Sequence, residues 1–354
     1  MRLRIMEYNV QDFFLHLEYP LAKEDGAVLT DEQWQLLGRS DVFLKPLSKI
    51  KAIAAIINEV SPDIICFCEM GGQESLEIFN RIFLDDTYIP YLLPGNSSRG
   101  IESGFLVRKS LPLTHRIRSH SHWPVPFRYP HEQDPVTFRL AAEAAQYYDL
   151  GHPDHRRLSR DIPALFLEDS SGVRLVVLLV HLKSGFDTAG VDLDGKVRRG
   201  AELKALLSIY HSLLKELDAE TPILFAGDFN GKAGRNETAS EFLPLYEHDS
   251  FEDVLEICQV AQYERISQLT FIRSHLIAQQ LDFIFVPKRL AKIVENAYIY
   301  RYRFADDQTE IMLPSSFRDR SQLPSDHYPL VCDLDLTSVR PSPSPNTESQ
   351  TPAK

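Results

Sequence analysis

Short apolar runs that end on a charged or amide side chain recur along this chain, and they constrain its fold more than any other feature. Residues 3–10 close around Asn9, 63–69 on Glu69, 174–180 on His181, and 223–226 on Gly227-Asp228-Phe229-Asn230. Two further runs, 281–286 and 330–334, are entered through such groups, at Asp282 and at Asp326-His327. Runs this short and this apolar read as buried strands. A sheet that served only packing would use turn residues at its strand ends, so ionisable groups there point to function.

Strands are also expected at 104–107 and 164–167. Leu47, Ile50, Ile53, Ile57 and Val60 recur at helical spacing until Ser61-Pro62 stops the helix. Leu203, Leu206, Leu207, Ile209 and Leu213 give 196–217 an amphipathic helical pattern. A shorter helical segment, 30–37, falls in an insertion near 15–45. Many strands with few helices between them predict an α/β sandwich, two sheets packed face to face with helices outside.

Two stretches depart from this pattern. Residues 109–160 are broken by prolines and carry His115, His120, His122, His131, His152 and His155, and they read as a long functional loop region or as a plain solvated insertion. From Val339 on, Pro, Ser, Thr and Asn dominate, so 339–354 is expected to be a disordered tail behind one catalytic domain over 1–338. Cys66, Cys68, Cys258 and Cys332 lack metal-ligand spacing and read as reduced, buried thiols. No apolar run is long enough to span a bilayer and no signal-like segment follows Met1, which predicts a cytoplasmic protein.

The net charge of −12 argues against nonspecific nucleic-acid packaging, which depends on Lys and Arg. A nuclease is compatible with it, because a bound cation restores local attraction for phosphate. Asp228 and Asn230 lie two residues apart, so that one can accept a proton from water while the other donates to a phosphate oxygen; a plain turn is the competing reading. Asp326-His327 offers a hard oxygen ligand beside an imidazole, and Asp282 can hold that imidazole in one tautomer. His181 ends an apolar strand in His181-Leu182-Lys183-Ser184, where a lone strand-end histidine is more often structural.

In this order, Asn9, Glu69, His181, Asp228 with Asn230, Asp282, and Asp326 with His327 resemble the signature of the endonuclease/exonuclease/phosphatase superfamily, the deoxyribonuclease I-like proteins. The resemblance covers nearly the whole chain and rests on GDFN, LDFIFV and SDHYPL together. It implies a four-layer α/β sandwich of two packed mixed β-sheets flanked by helices. It further implies Asn9, Glu69 and Asp326 at the metal, His181, Asp228 and Asn230 at the scissile phosphate, and Asp282 orienting His327. Arg160, in Ser159-Arg160-Asp161, resembles an arginine that approaches phosphate in such proteins, and an ordinary exposed arginine competes with that reading. Glu102 is the nearest match to the acid that partners the strand-end histidine, at an imperfect offset.

The expected activity is therefore phosphodiester hydrolysis assisted by Mg²⁺, with Mn²⁺ or Ca²⁺ as alternatives, and either Asp228 or the His327–Asp282 pair activating water. Lys183 or Arg160 would add positive charge. A DNA or RNA substrate leads, partly because HLKS and the basic helix start at 196–199 resemble the extracellular-nuclease branch. A phosphatase or phosphodiesterase acting on lipid headgroups or small phosphates is the alternative, supported by the acidic balance. A noncatalytic module would lack one of the acids, and none is missing. The reading leaves the oligomeric state open.

Overall fold

Strand β7 (Gly172–His181) sorts its apolar residues between two cores by simple alternation. Leu175, Val177 and Leu179 join the core between the sheets, while Val176, Leu178 and Val180 join a second core on the opposite face. Strand β8 (Ile223–Asp228) and strand β12 (Asp282–Pro287) repeat the division, with Leu224, Ala226, Ile284 and Val286 inward and Phe225, Phe283 and Phe285 outward. Burial on both faces explains why these segments read as unbroken apolar runs.

The computed structural model describes residues 1–39, 43–133, 136, 152–187, 190–218, 220–247, 250–303, 309–310 and 313–339. One six-stranded sheet has the order β13-β14-β1-β2-β4-β3. Its members are β1 (Arg2–Phe13), β2 (Ile64–Met70), β3 (Tyr88–Leu92), β4 (Glu102–Arg108), β13 (Val294–Ile299) and β14 (Leu330–Asp335). The second has the order β5-β6-β7-β8-β12-β9, adding β5 (Thr114–Arg118), β6 (Ala164–Asp169) and β9 (Phe251–Asp253). A hairpin of β10 (Gln268–Ile272) and β11 (His275–Gln279) stands apart from both. Helix α1 (Asp31–Gln35) is closed by a Thr30–Gln33 capping box. Helices α2 (Leu47–Val60) and α3 (Gly72–Phe83) cover the first sheet, and α4 (Lys196–Glu216) covers the second. This is the expected sandwich of two mixed sheets flanked by helices.

Pairing direction decides where the polar strand tips meet. β1 runs parallel to β2, and β7 runs parallel to β8, with His181 beside Asp228 in register. β12 is antiparallel to β8 with Asp282 opposite Asp228, and β14 is antiparallel to β1, so both start at the edge where their neighbours end. Gly227 has φ of 145°, and a Cβ there would sit 1.8 Å from the Val180 carbonyl oxygen, so only glycine lets β8 pass β7 at this tip.

The segment expected to be a long loop over 109–160 is in part ordinary structure. β5 extends the second sheet, and Arg156 forms a buried ion pair with Glu132 at 2.6 Å, its guanidinium over the adjoining Phe127 and Tyr129 rings. His115 bonds Tyr91 and His120 bonds the Ile162 carbonyl, so these histidines tie elements together. The rest of that segment, 134–135 and 137–151, lies outside the described residues, as does the expected tail beyond Val339, which itself packs on the core. Cys66, Cys68 and Cys332 are buried free thiols, while Cys258 is only half-buried. Among the described residues no helix is long and apolar enough to cross a membrane.

Candidate active site

At the shared sheet edge, Asp282 and His327 form the best-defined contact: Nδ1–H of His327 donates to Asp282 Oδ2 at 2.7 Å, with both side chains buried. Burial alone would lower the histidine pKa, but the nearby Asp282 and Asp228 carboxylates outweigh it and push it well above the ordinary range. The Ser267 hydroxyl accepts from the backbone N–H of both Leu281 and Asp282 at 3.0 Å, fixing the acid. Ser325 Oγ donates to the Asn9 carbonyl at 2.8 Å and accepts from the His327 N–H at 3.1 Å, joining the two ends of the chain. The base of the β10–β11 hairpin holds the same loop, through Leu269 N–H to Asp326 O and Tyr328 N–H to Ser267 O.

Asp228 lies at the centre. Its Oδ2 accepts from Asn9 Nδ2 at 3.1 Å and Asn230 Nδ2 at 2.9 Å, and its Oδ1 accepts the Asn230 N–H at 2.8 Å. Burial and the Asp282 charge raise its pKa to about 7. His181 Nε2 stands 3.7 Å from Asp228 and 4.0 Å from Glu69, while its Nδ1 is buried with no partner. Burial, followed by the Arg160 and His327 charges, lowers the His181 pKa well below its ordinary value, so this imidazole is neutral. Glu69 reaches the cluster from a backbone with φ of 68°, a conformation that a glutamate adopts only when its surroundings impose it, and Asn230 from one with φ of 52°, which asparagine tolerates.

Not every expected residue joins the cluster in the same way. Asp326 is engaged by Arg320 at 3.0 Å. Lys183 turns its ammonium to the Ser184 and Phe186 carbonyls of its own loop, and its N–H donates to Glu202 at 2.8 Å. Among the described residues Arg160 makes only a 3.4 Å contact to the Leu182 carbonyl and leaves Nε without a partner. Glu102 is buried with its pKa pushed up to about 7, accepts from the Ser97 N–H, and has no hydrogen bond to His181 among the described residues.

Besides Ser267 and Arg320, three supporting groups are absent from the sequence expectations. Lys45 is buried and donates to the Val10 and Gln11 carbonyls at 2.8 Å, anchoring the irregular end of β1 just after Asn9; burial lowers its pKa to about 7. Glu7 is buried beneath the site with neither carboxyl oxygen bonded, and burial, then Asp282 and Asp228, raises its pKa well above the usual range. Arg99 pairs with Asp12, whose N–H donates to Glu69 at 2.8 Å. Only Glu7 carried a sequence signal, a carboxylate inside an apolar strand.

No protein-family model and no curated protein matches the chain. Among solved structures it resembles truncated Caenorhabditis elegans TDP2, with a TM-score of 0.53 and 15% identity over 94% of this chain and 97% of that one. D. rerio TDP2 complexed with a single strand DNA product gives 0.54 and 14%, over 94% and 99%. The human Nocturnin catalytic domain with a bound sulfate anion gives 0.53 and 16%, over 94% of each chain. At such identities the likeness is one of architecture, and the chain has the fold of the endonuclease/exonuclease/phosphatase superfamily.

Proposed function

We propose that this protein is a divalent-metal-dependent phosphodiester hydrolase, a nuclease acting on DNA or RNA. The observation that carries the reading is the convergence at one sheet edge of neutral His181, the Asp228–Asn230 pair and the Asp282–His327 pair, beside Glu69 and Asn9. The donor set fits a hard divalent cation. Carboxylates crowd the site, and Asp282 Oδ1 is buried without a hydrogen-bond partner, a condition that a nearby cation relieves. Ligand atoms of Asp228, Asp282 and His327 lie within 4.8 Å of one another, yet the direct Asp282–His327 hydrogen bond suits an acid–base pair better than an ion between them. Glu69 and Asn9 would therefore hold the metal, with Asp326 completing its shell directly or through water. Mg²⁺ there, or Mn²⁺ or Ca²⁺ in its stead, would polarise the phosphate.

The protonation states divide the work. Asp228, with its pKa raised to about 7, is the better acceptor for the proton of attacking water, whereas His327, held charged by its carboxylate neighbours, is suited to donate. Neutral His181 can donate to a nonbridging phosphate oxygen, and Asn230 holds Asp228 from two sides. A polynucleotide substrate is supported by Arg99 and Arg160 near His181 and by the DNA product bound to the D. rerio relative. Hydrolysis of plasmid DNA, RNA, a sphingolipid and an inositol phosphate, each with and without Mg²⁺, tests the reading. Activity confined to the last two would replace the nuclease with a small-phosphate enzyme.

Glu69→Gln should weaken Mg²⁺ binding by more than about tenfold, since even outer-shell partners of a metal contribute that much. Calorimetry giving the wild-type affinity would remove Glu69 from the metal.

A further inference from the structure

Two adjoining depressions, of about 920 and 470 Å³, run along the exposed side of α4 and share Trp123, Lys204 and Ser208. Trp123 and Phe127 form one wall, and Lys196, Lys204 and Lys215 follow one another along the helix. Among the described residues no carboxylate pairs with Lys204 or Lys215, and Lys196 only approaches Asp194 at 4.0 Å. Of the described acids on the rim, Glu241 is neutralised by Arg199 at 2.6 Å, which leaves Glu247. On a chain of net charge −12, Lys204 and Lys215 without carboxylate partners among the described residues, beside two aromatic rings, form a locally positive, partly apolar strip.

We infer that this groove binds single-stranded nucleic acid. Its chemistry selects that ligand over others: lysines spaced along a helix track a phosphate backbone, and the half-buried Trp123 and Phe127 rings leave part of their surface for bases free to stack, which a duplex keeps inside. Lys204 and Lys215 are about 16 Å apart at 1.5 Å per helical residue, a span of several nucleotides. The groove also begins where the site ends. Lys196 opens it on the first turn of α4, and the same turn carries Arg199, which donates to the Lys183 carbonyl at 3.1 Å and so supports the loop after His181. A strand lying in the groove is thereby led toward the candidate active site. The inference rests on the phosphodiesterase reading for its purpose but not for its binding.

The test uses fluorescence anisotropy in EDTA, with labelled single-stranded DNA, single-stranded RNA and duplex DNA of equal length. Single strands should bind more tightly than the duplex and quench Trp123 fluorescence. Lys204→Glu with Lys215→Glu should weaken single-strand binding at least tenfold and flatten its salt dependence, while turnover of bis(p-nitrophenyl) phosphate with Mg²⁺ stays at the wild-type rate. Wild-type affinity in the double variant, or equal affinity for duplex, overturns the groove. If the small diester is not hydrolysed although single-strand binding still depends on the two lysines, the groove stands and the phosphodiesterase reading falls.

Discussion

Asp282→Asn should lower turnover on the order of 10²- to 10⁴-fold and destabilise the protein by about 3–5 kcal/mol, because it removes one partner of a fully buried charge pair. The amide retains the shape, but its Oδ or Nδ no longer stabilises the charge on His327, which then stays neutral. The sign of the pH dependence follows. In the wild type the folded-state pKa of His327 is raised above its unfolded value, so the pair contributes its stability fully below the unfolded histidine value and loses it as pH rises through the folded one. The gap in melting temperature between variant and wild type should therefore be widest in acid and narrow toward high pH. Calorimetric melts from pH 5 to 9, with an NMR titration of the His327 ring, read both effects. A gap that widens with pH would mean that the histidine is not the charged partner.

His181→Ala is expected to behave differently. Neutral, with Nδ1 unbonded and Nε2 no closer than 3.7 Å to a carboxylate, its imidazole holds nothing together, so its loss should cost little stability. Turnover should nonetheless fall about 10²- to 10⁴-fold, the usual contribution of a hydrogen-bonding or acid–base group at the reacting centre, while Mg²⁺ affinity is kept. Melting temperature and turnover measured on one preparation separate the roles. Wild-type turnover per folded molecule in a less stable protein would make His181 a structural strand-end residue.

The sandwich was legible because β7, β8 and β12 are buried on both faces and write that burial as apolar runs, and α2 because its stripe faces one core. The strands that went unread lie at edges. β5 alternates weakly, as Thr-His-Arg-Ile-Arg, and β3 is interrupted by Pro90, as edge strands can be. Within the site, residues at strand tips were legible because strand order puts them on one edge. Lys183 was not, since the sequence carries no sign that its loop folds back on its own carbonyls. Neither was the Arg320 partner of Asp326, nor Ser267, whose hydroxyl fixes Asp282 from the residue just before β10.

Strand β1 lies in the middle of its sheet between β2 and β14, which places the first and the last strands of the described chain side by side. During synthesis, β1 must wait with one edge open until β14 has emerged. Ser325 and His327, the groups that lock onto Asn9 and Asp282, arrive at the same late moment. A chain interrupted before β14 thus has no assembled candidate site.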